Sequence, residues 1–254
     1  SLRQGDSDVG LKGGPAVASR STMTVSAALL KTVETVIGKG RRFAAEVFET
    51  DEADVVYEAG QFRVIGTDRR IPLLALANRG KDLDSRETTE VPQSFPNGCH
   101  VAEVEIDPDT GEIQVVGYVA VDDCGTVLNH ALVEGQVLGG LAQGLGQALL
   151  EAVVHDGDTG QLLTGTLNDY ALPRADDMPP VTALEHPVFC RTNPLGVKGV
   201  GEAGTTGAIG AIMNAIADAI PSADLASLQM PATPEKIWRL CRAAGLAGGR
   251  DGCG

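Results

Sequence analysis

The first part of the chain shows apolar residues at helical spacing, followed by an alternating pattern. Over residues 22–37 the apolar positions return every three or four residues, which predicts an amphipathic helix with Ser21 or Thr22 as its N-cap. A second, shorter helix is expected over residues 42–49. The stretch DVVYEAGQFRVIG then alternates on either side of residues 59–60, which is typical of a β-hairpin.

The middle of the chain predicts a loop, a second hairpin and a glycine-rich helix. Residues 81–98 hold few apolar side chains and two prolines, so a connecting loop is expected there. Runs 100–106 and 112–121 flank the turn DPDTG and predict a hairpin. A helix is expected over 131–150, although each of its glycines costs about 1 kcal/mol relative to alanine. Close packing against a strand or a ligand would offset that cost.

The remaining segments predict two more helices. A turn at 156–160 should separate two short strands. The glycine loop GVKGVGEAGTTG opens a helix over about 206–220, and the last helix starts at Pro234 after the N-cap Thr233. Because strands and helices are intermixed, the predicted fold class is α+β (mixed α/β).

Composition narrows the function classes. Of the 254 residues, 43% are hydrophobic and 21% charged, as in soluble globular proteins. The formal net charge of −14 disfavours binding to nucleic acid or anionic membranes. No apolar run is long enough to span a bilayer, and the N-terminus lacks a signal-peptide pattern. The five cysteines are scattered along the chain, which predicts reduced thiols in a cytoplasmic protein. Because the four histidines are also isolated along the chain, no protein-ligated metal is expected.

Residues 199–204 spell G-x-G-x-x-G, the dinucleotide-binding fingerprint. That fingerprint requires a buried strand before the glycines and another strand after the helix. The preceding FCRTNPLGVK contains a proline and no apolar run, and the following PSADLASLQMP is no core strand. Although Asp224 lies about 20 residues further on, as the fingerprint asks, we reject a Rossmann site and with it a nucleotide-binding dehydrogenase.

The same glycines still direct backbone N–H groups and a helix N-terminus toward one point. Such a point suits an anion, a phosphate or a developing oxyanion. Glu202 lies among the glycines, and two interpretations of it are open. It complements the positive end of the helix dipole, or it acts as a general base.

The segment NPLGVKGVGEAGTTGAIGAIMNAIADAI resembles the active-site segment of the xanthine oxidase family, especially its carbon-monoxide-dehydrogenase-like branch and the bacterial aldehyde and heterocycle hydroxylases. In that family the glutamate of this motif lies beside molybdenum and acts as a base. The resemblance therefore implies that Glu202 is catalytic and that Gly201 lies at the cofactor.

Three further stretches resemble the family in the same order along the chain. VDDCGTVLNHALVEGQVLGGLAQGLGQALLE resembles its glycine-rich cofactor helix, in which Gln143 is implied to hydrogen-bond the pterin. LLTGTLNDYALPRADDMPPV follows, as in relatives. The turn that resembles the family's pterin- and phosphate-holding turn comprises Ala18, Ser19, Arg20, Ser21 and Thr22. Small and hydroxyl residues there also suit a plain N-cap.

The resemblance covers residues 5 to about 244 and implies the C-terminal, molybdenum-cofactor-binding part of a large subunit. Residues 1–98 would form its first half, with the cofactor loop, helices and hairpin. Residues 99–244 would form the second half, with the glycine-rich helix and the glutamate loop, and 245–254 a tail. Because the family's large subunit is longer, we expect a fragment, a processed product or one subunit of a split enzyme.

The implied cofactor is molybdopterin cytosine dinucleotide, with molybdenum held through the pterin dithiolene. The implied partners are the rest of the molybdenum subunit, a 2Fe-2S iron–sulfur subunit and an FAD subunit in a hetero-oligomer. The implied reaction is hydroxylation of an aldehyde or N-heterocycle carbon with water-derived oxygen, or oxidation of CO; the sequence does not identify the small-molecule substrate. The alternative is a non-catalytic cofactor-binding or assembly subunit that completes another chain's site.

Overall fold

A computed structural model describes residue 8, residues 13–221, residue 226 and residues 228–246. Most of the predicted tail at 245–254 and the first part of the loop at 5–21 lie outside the described residues, as does Asp224. Contacts divide the chain into two units. One unit comprises residues 1–20, 94–191 and 196–254, and the other comprises 21–93 and 192–195.

The unit of residues 21–93 combines a long helix with a small sheet. Its elements are α1 (Ser21–Phe48), β1 (Val55–Glu58), β2 (Gln61–Val64), β3 (Arg70–Pro72) and α2 (Leu73–Ala77). The predicted hairpin is confirmed, because β1 and β2 pair antiparallel and the turn residues Ala59 and Gly60 have φ of 47° and 80°. Both positive angles are what a type I′ turn requires.

The prediction of two separate helices in this unit is wrong. α1 runs without a break for 28 residues, through Gly38 and Gly40. Gly40 is buried against the ring of Phe62, and a Cβ there would lie 2.2 Å from Cζ of that ring. The glycine therefore marks a close approach of helix and sheet, and not a helix end.

The other unit places helices against a three-stranded sheet. Its elements are β4 (Asn97–Ile106), β5 (Ile113–Asp123), α3 (His130–Leu145), β6 (Val181–Glu185), α4 (Ala203–Ala219) and α5 (Pro234–Ala243). The predicted hairpin of β4 and β5 is confirmed, and β6 adds to β5 in parallel. The core draws residues from β5, α3, α4 and α5, with α4 packed on β4 and on α3, and Leu141, Ile212 and Ile237 are fully buried. The predicted α+β class is confirmed.

The glycines of α3 serve a different partner from the one predicted. α3 packs against α4, and a Cβ on Gly140 would lie 2.9 Å from Cα of Gly204. A Cβ on Gly144 would lie 2.5 Å from a side-chain carbon of α4. The offsetting contact is therefore a neighbouring helix, and not a strand or a ligand. The glycines at 135 and 139 meet nothing within 4 Å.

Smaller differences concern element ends. The α-helical part of α3 ends at Leu145, and a π-helical turn follows it over Gly146–Leu150. α4 starts at Ala203, three residues earlier than predicted. α5 starts at Pro234 with Thr233 as its N-cap residue, as predicted. In place of two short strands around 156–160, the structure has one isolated bridge, between His155 and Leu162. No helix of the described residues is long and apolar enough to cross a membrane.

Candidate active site

Glu202 lies immediately before α4, at its N-cap position. Its side chain makes no capping hydrogen bond, although its backbone carbonyl accepts one from the N–H of Thr206 at 3.0 Å. The carboxylate oxygen Oε2 instead accepts a hydrogen bond from Oγ of Ser19 at 2.8 Å. Within the described chain no other side chain hydrogen-bonds to this carboxylate. Glu202 therefore makes no side-chain cap, while its negative charge at the helix N-terminus still complements the helix dipole.

The glycine loop before Glu202 lies directly on Ser19. A Cβ on Gly199 would come within 2.9 Å of the Ser19 carbonyl oxygen, and one on Gly201 within 3.0 Å of its Oγ. Ala18 and Ser19 have positive φ, 54° and 51°, a conformation that residues other than glycine rarely adopt. The absence of a side chain at Gly199 and at Gly201 is what lets this tight turn approach Glu202.

The structure divides the predicted turn of residues 18–22. Ala18 and Ser19 line a cavity of about 450 Å³ together with Glu202. The Arg20 guanidinium donates to the backbone carbonyl of Pro15 at 3.2 Å. Ser21 and Thr22 form the start of α1, in the other unit.

Gln143 is exposed on α3 and does not line the cavity. Its Oε1 lies 3.1 Å from Oγ of Thr205, which also donates to the carbonyl of Gly140 at 3.0 Å. Gln143 is thus tied to the first turn of α4. A different glutamine, Gln136, lies nearer the Glu202 loop: a Cβ on Gly201 would be 3.2 Å from its Oε1. Sequence reasoning missed Gln136.

A buried polar cluster on β4 and β5 forms another part of the cavity wall. His100 Nδ1 lies 2.8 Å from the Tyr118 hydroxyl, and His100 Nε2 lies 3.2 Å from each carboxylate oxygen of Asp122. The side chains of His100 and Asp122 are 4% and 8% exposed. Burial, reinforced by the charge of Asp122, raises the pKa of Tyr118 above its ordinary value.

His100 is isolated along the sequence, but in the fold it has two polar partners. In the hairpin register His100 pairs with Ala120, so Tyr118 and Asp122 are its diagonal neighbours on the same face. The predicted hairpin therefore contained the signal, which needed the strand register to be read.

A second buried pair fixes the start of the glycine loop. Lys198 Nζ pairs with Oδ2 of Asp123, and their side chains are 10% and 5% exposed. Oδ1 of Asp123 accepts from the N–H groups of Gly125 and Val188 at 2.9 and 3.0 Å. Burial alone would raise the pKa of Asp123, but these hydrogen bonds outweigh it, and the pKa is lowered. The Lys198 N–H also donates to the Cys124 carbonyl at 2.7 Å, so the loop is held to the end of β5.

Sequence comparison assigns the family. A family model described as the molybdopterin cofactor-binding domain matches residues 1–179. The chain belongs to this family. The matched range ends before the Glu202 loop, so the match concerns the cofactor-binding domain and not the glutamate motif. Among the described residues, no group of three or more His, Cys, Asp or Glu side chains is arranged to hold a metal ion directly.

Curated relatives and a solved structure extend the likeness over nearly the whole chain. The 6-hydroxypseudooxynicotine dehydrogenase complex subunit gamma of Paenarthrobacter nicotinovorans is 34% identical over an alignment of 237 positions, and the match covers 88% of this chain and 30% of that protein. The carbon monoxide dehydrogenase large chain of Hydrogenophaga pseudoflava is 31% identical over an alignment of 263 positions, and the match covers 97% of this chain and 32% of that protein. A crystal structure of Cu,Mo-CO dehydrogenase matches with a TM-score of 0.81 and 28% identity, covering 94% of this chain and 31% of that one.

The chain thus spans about a third of the length of the relatives it matches. These matches confirm the predicted resemblance to a molybdenum hydroxylase large subunit and the predicted cofactor-binding type of the fold. The relatives' own names describe them as subunits or chains of larger enzymes.

Proposed function

We propose that this chain is the part of a molybdenum hydroxylase large subunit that supplies the catalytic base, Glu202. The proposed reaction is hydroxylation of an aldehyde or N-heterocycle carbon with water-derived oxygen, or oxidation of CO. The observation that supports it is the Glu202 carboxylate, which lies in the cavity wall, makes no capping hydrogen bond and, among the residues the structure describes, accepts one side-chain hydrogen bond, from Ser19.

The residues present fit a molybdopterin cofactor. Gly199 lines the cavity without a side chain of its own, next to the Ser19 turn on which it packs. The first turn of α4 favours negative charge at its N-terminus, as a phosphate or an oxyanion would provide. Ser19 and Thr206 supply hydroxyl groups at the same cavity. When bound, the cofactor supplies the two-electron oxidation of the substrate carbon.

Glu202 would act by moving one proton. The Ser19 hydroxyl holds Oε2, which orients the carboxylate and leaves Oε1 to accept a proton from the water-derived oxygen that reaches the carbon. A carboxylate on the last residue before a helix is held by rigid backbone, which keeps a base in place during turnover.

The proposal extends to the assembly. We infer that the cofactor is the cytosine dinucleotide form of molybdopterin, that the rest of the molybdenum subunit, a 2Fe-2S subunit and an FAD subunit complete the enzyme, and that the hetero-oligomer is cytoplasmic. Among the described residues, Cys99, Cys124, Cys190 and Cys241 form no disulfide bond, which agrees with a reducing compartment. Analysis of the purified complex should find molybdenum and release CMP; absence of the nucleotide contradicts the dinucleotide form.

Glu202→Gln in the complete enzyme tests the base. Glutamine keeps the size and the hydrogen bond from Ser19 but cannot accept the proton, so turnover per bound molybdenum should fall by about 100- to 10,000-fold. The matched control is Glu134→Gln, an exposed glutamate on α3 that should leave turnover unchanged. Unchanged turnover in Glu202→Gln, with cofactor still bound, would support the alternative of a non-catalytic cofactor-binding subunit.

A further inference from the structure

The imidazole of His100 is held at both of its nitrogens. A carboxylate only accepts hydrogen bonds, so Nε2 carries the hydrogen shared with Asp122, 3.2 Å away. Nδ1 makes a second hydrogen bond, with the hydroxyl of Tyr118 at 2.8 Å. The two rings also meet edge-on, with centroids 5.7 Å apart. Two hydrogen bonds and a ring contact fix the orientation of this buried side chain.

The first turns of α4 lie on this ring. A Cβ on Gly207 would be 2.2 Å from Nδ1 of His100 and 2.5 Å from its Cε1. The imidazole therefore fills the space that any side chain at position 207 would occupy. The preceding residue, Thr206, donates its N–H to the Glu202 carbonyl at 3.0 Å. Two contacts thus connect the ring to the backbone of Glu202.

We propose that His100, clamped between Tyr118 and Asp122, is a positioning residue that sets where the first turn of α4 lies and thereby where the Glu202 carboxylate meets Ser19. This inference rests on the proposed role of Glu202 as the base. His100 itself transfers no proton in it. Its function is to keep Gly207, and through it the helix start, at one distance from β4.

The size of the expected effect follows from catalytic geometry. A displacement of about 1 Å caused by a change outside the reacting groups can lower a rate by about 100-fold. Loss of the ring leaves a void under the first turn, and a methyl group at 207 pushes the turn away from β4. The two changes act on the same space in opposite directions, so they should compensate each other when combined.

The test uses the complete enzyme with His100→Ala, Gly207→Ala and the double variant. Each single change should lower kcat per bound molybdenum by about 10- to 100-fold, with KM within about twofold of wild type and the molybdenum content unchanged. The double variant should recover most of the loss, because the new methyl group enters the space left by the ring. Gly210→Ala, in the same helix with nothing within 4 Å, is the control and should keep wild-type kcat.

Amide hydrogen exchange of residues 203–207 gives a readout that does not depend on turnover. Exchange at Thr206 should be faster in His100→Ala and in Gly207→Ala, but not in Gly210→Ala. If Glu202→Gln keeps full turnover while amide exchange at Thr206 is faster in the His100 and Gly207 variants, the proposed function is wrong and the positioning role of His100 is supported. If Glu202→Gln is inactive while exchange and kcat do not respond to His100→Ala, the positioning role is overturned.

A milder variant keeps the proposal testable if the alanine variants fold poorly. Tyr118→Phe removes only the hydroxyl that holds Nδ1, and should lower kcat by about three- to tenfold, as expected for a lost hydrogen bond of about 1 kcal/mol. Wild-type kcat together with wild-type exchange in Tyr118→Phe would overturn the proposal. So would a double variant whose loss equals the product of the two single losses.

Discussion

Ser19 donates a 2.8 Å hydrogen bond to Glu202 from a position 183 residues earlier in the chain. Three local features converge on this contact: a turn with positive φ at Ala18 and Ser19, a loop without side chains at Gly199, and a glutamate that does not cap its helix. Strained backbone of this kind persists where the surrounding structure holds it in place, and it is often found at functional sites.

Ser19→Ala should lower kcat by about three- to tenfold, the value of one hydrogen bond of about 1 kcal/mol to a partly exposed carboxylate. The Glu202 base remains present but is no longer oriented. Ser19→Gly should lower kcat equally while relaxing the positive φ, which separates the hydroxyl from the backbone strain. Ser26→Ala is the matched control, because its hydroxyl bonds only to the carbonyl of Met23. Steady-state kinetics normalised to bound molybdenum measure all three, and wild-type kcat in both Ser19 variants would contradict the orienting role.

The sequence predicts local elements well and long-range contacts poorly. The hairpin of β4 and β5 follows from alternation, and its register already implies that Tyr118 and Asp122 flank His100. β6 was missed because VTALE is only five residues long and is defined by its parallel pairing with β5. The break predicted in α1 is wrong, because Gly40 leaves room for the ring of Phe62 inside an unbroken helix. Phe62 is 22 residues further along the chain, so no local pattern reveals this contact.

The candidate site divides in the same way. Glu202 could be singled out from its glycine loop, but its proximity to Ser19 could be expected only through the resemblance to a family. Lys198 and Asp123 lie 75 residues apart, and neither is marked by local spacing. Sequence periodicity reports which face of an element is buried, and says nothing of which buried polar groups find each other.

Gly199→Ala should impair both stability and turnover. Its Cβ would lie 2.9 Å from the backbone oxygen of Ser19, which cannot rotate away as a flexible side chain would. Overpacking of this kind costs about 1–3 kcal/mol. Gly135→Ala is the matched control, because its Cβ meets nothing within 4 Å and alanine favours the helix by about 0.5–1 kcal/mol. Thermal unfolding should separate the two variants in sign, and equal stability of both would refute the close approach.

The Asp123–Lys198 pair should make the unit less stable in acid. The pKa of Asp123 is lower in the folded state than the unfolded value of about 3.9. Its contribution is therefore fully present above about pH 4 and is lost as pH falls through the folded pKa. Asp123→Asn should remove this acid dependence and destabilise the protein at neutral pH by about 3 kcal/mol, because Lys198 is left buried without its partner.

Denaturant unfolding between pH 2 and pH 7 measures this effect. Glu235→Gln is the control, since its pair with Arg239 is about 70% exposed and should change the free energy of unfolding far less. An Asp123→Asn variant that matches wild type in both its neutral stability and its acid slope would show that the buried pair does not hold the glycine loop.

Gln143→Ala tests the cofactor role implied for this glutamine. Its side chain lies against Thr205, in the first turn of α4, and is exposed toward the open side of α3. If it hydrogen-bonds the pterin, the variant should hold less molybdenum per protein while its unfolding transition stays near that of wild type, because alanine suits a helix. Gln147→Ala, exposed just after the same helix, is the matched control and should bind molybdenum normally.

Gln136→Ala adds a discriminating comparison, since Gln136 is the glutamine nearer Gly201. A loss of molybdenum in Gln136→Ala but not in Gln143→Ala would transfer the pterin contact to the residue that the structure, and not the sequence, places beside the glutamate loop.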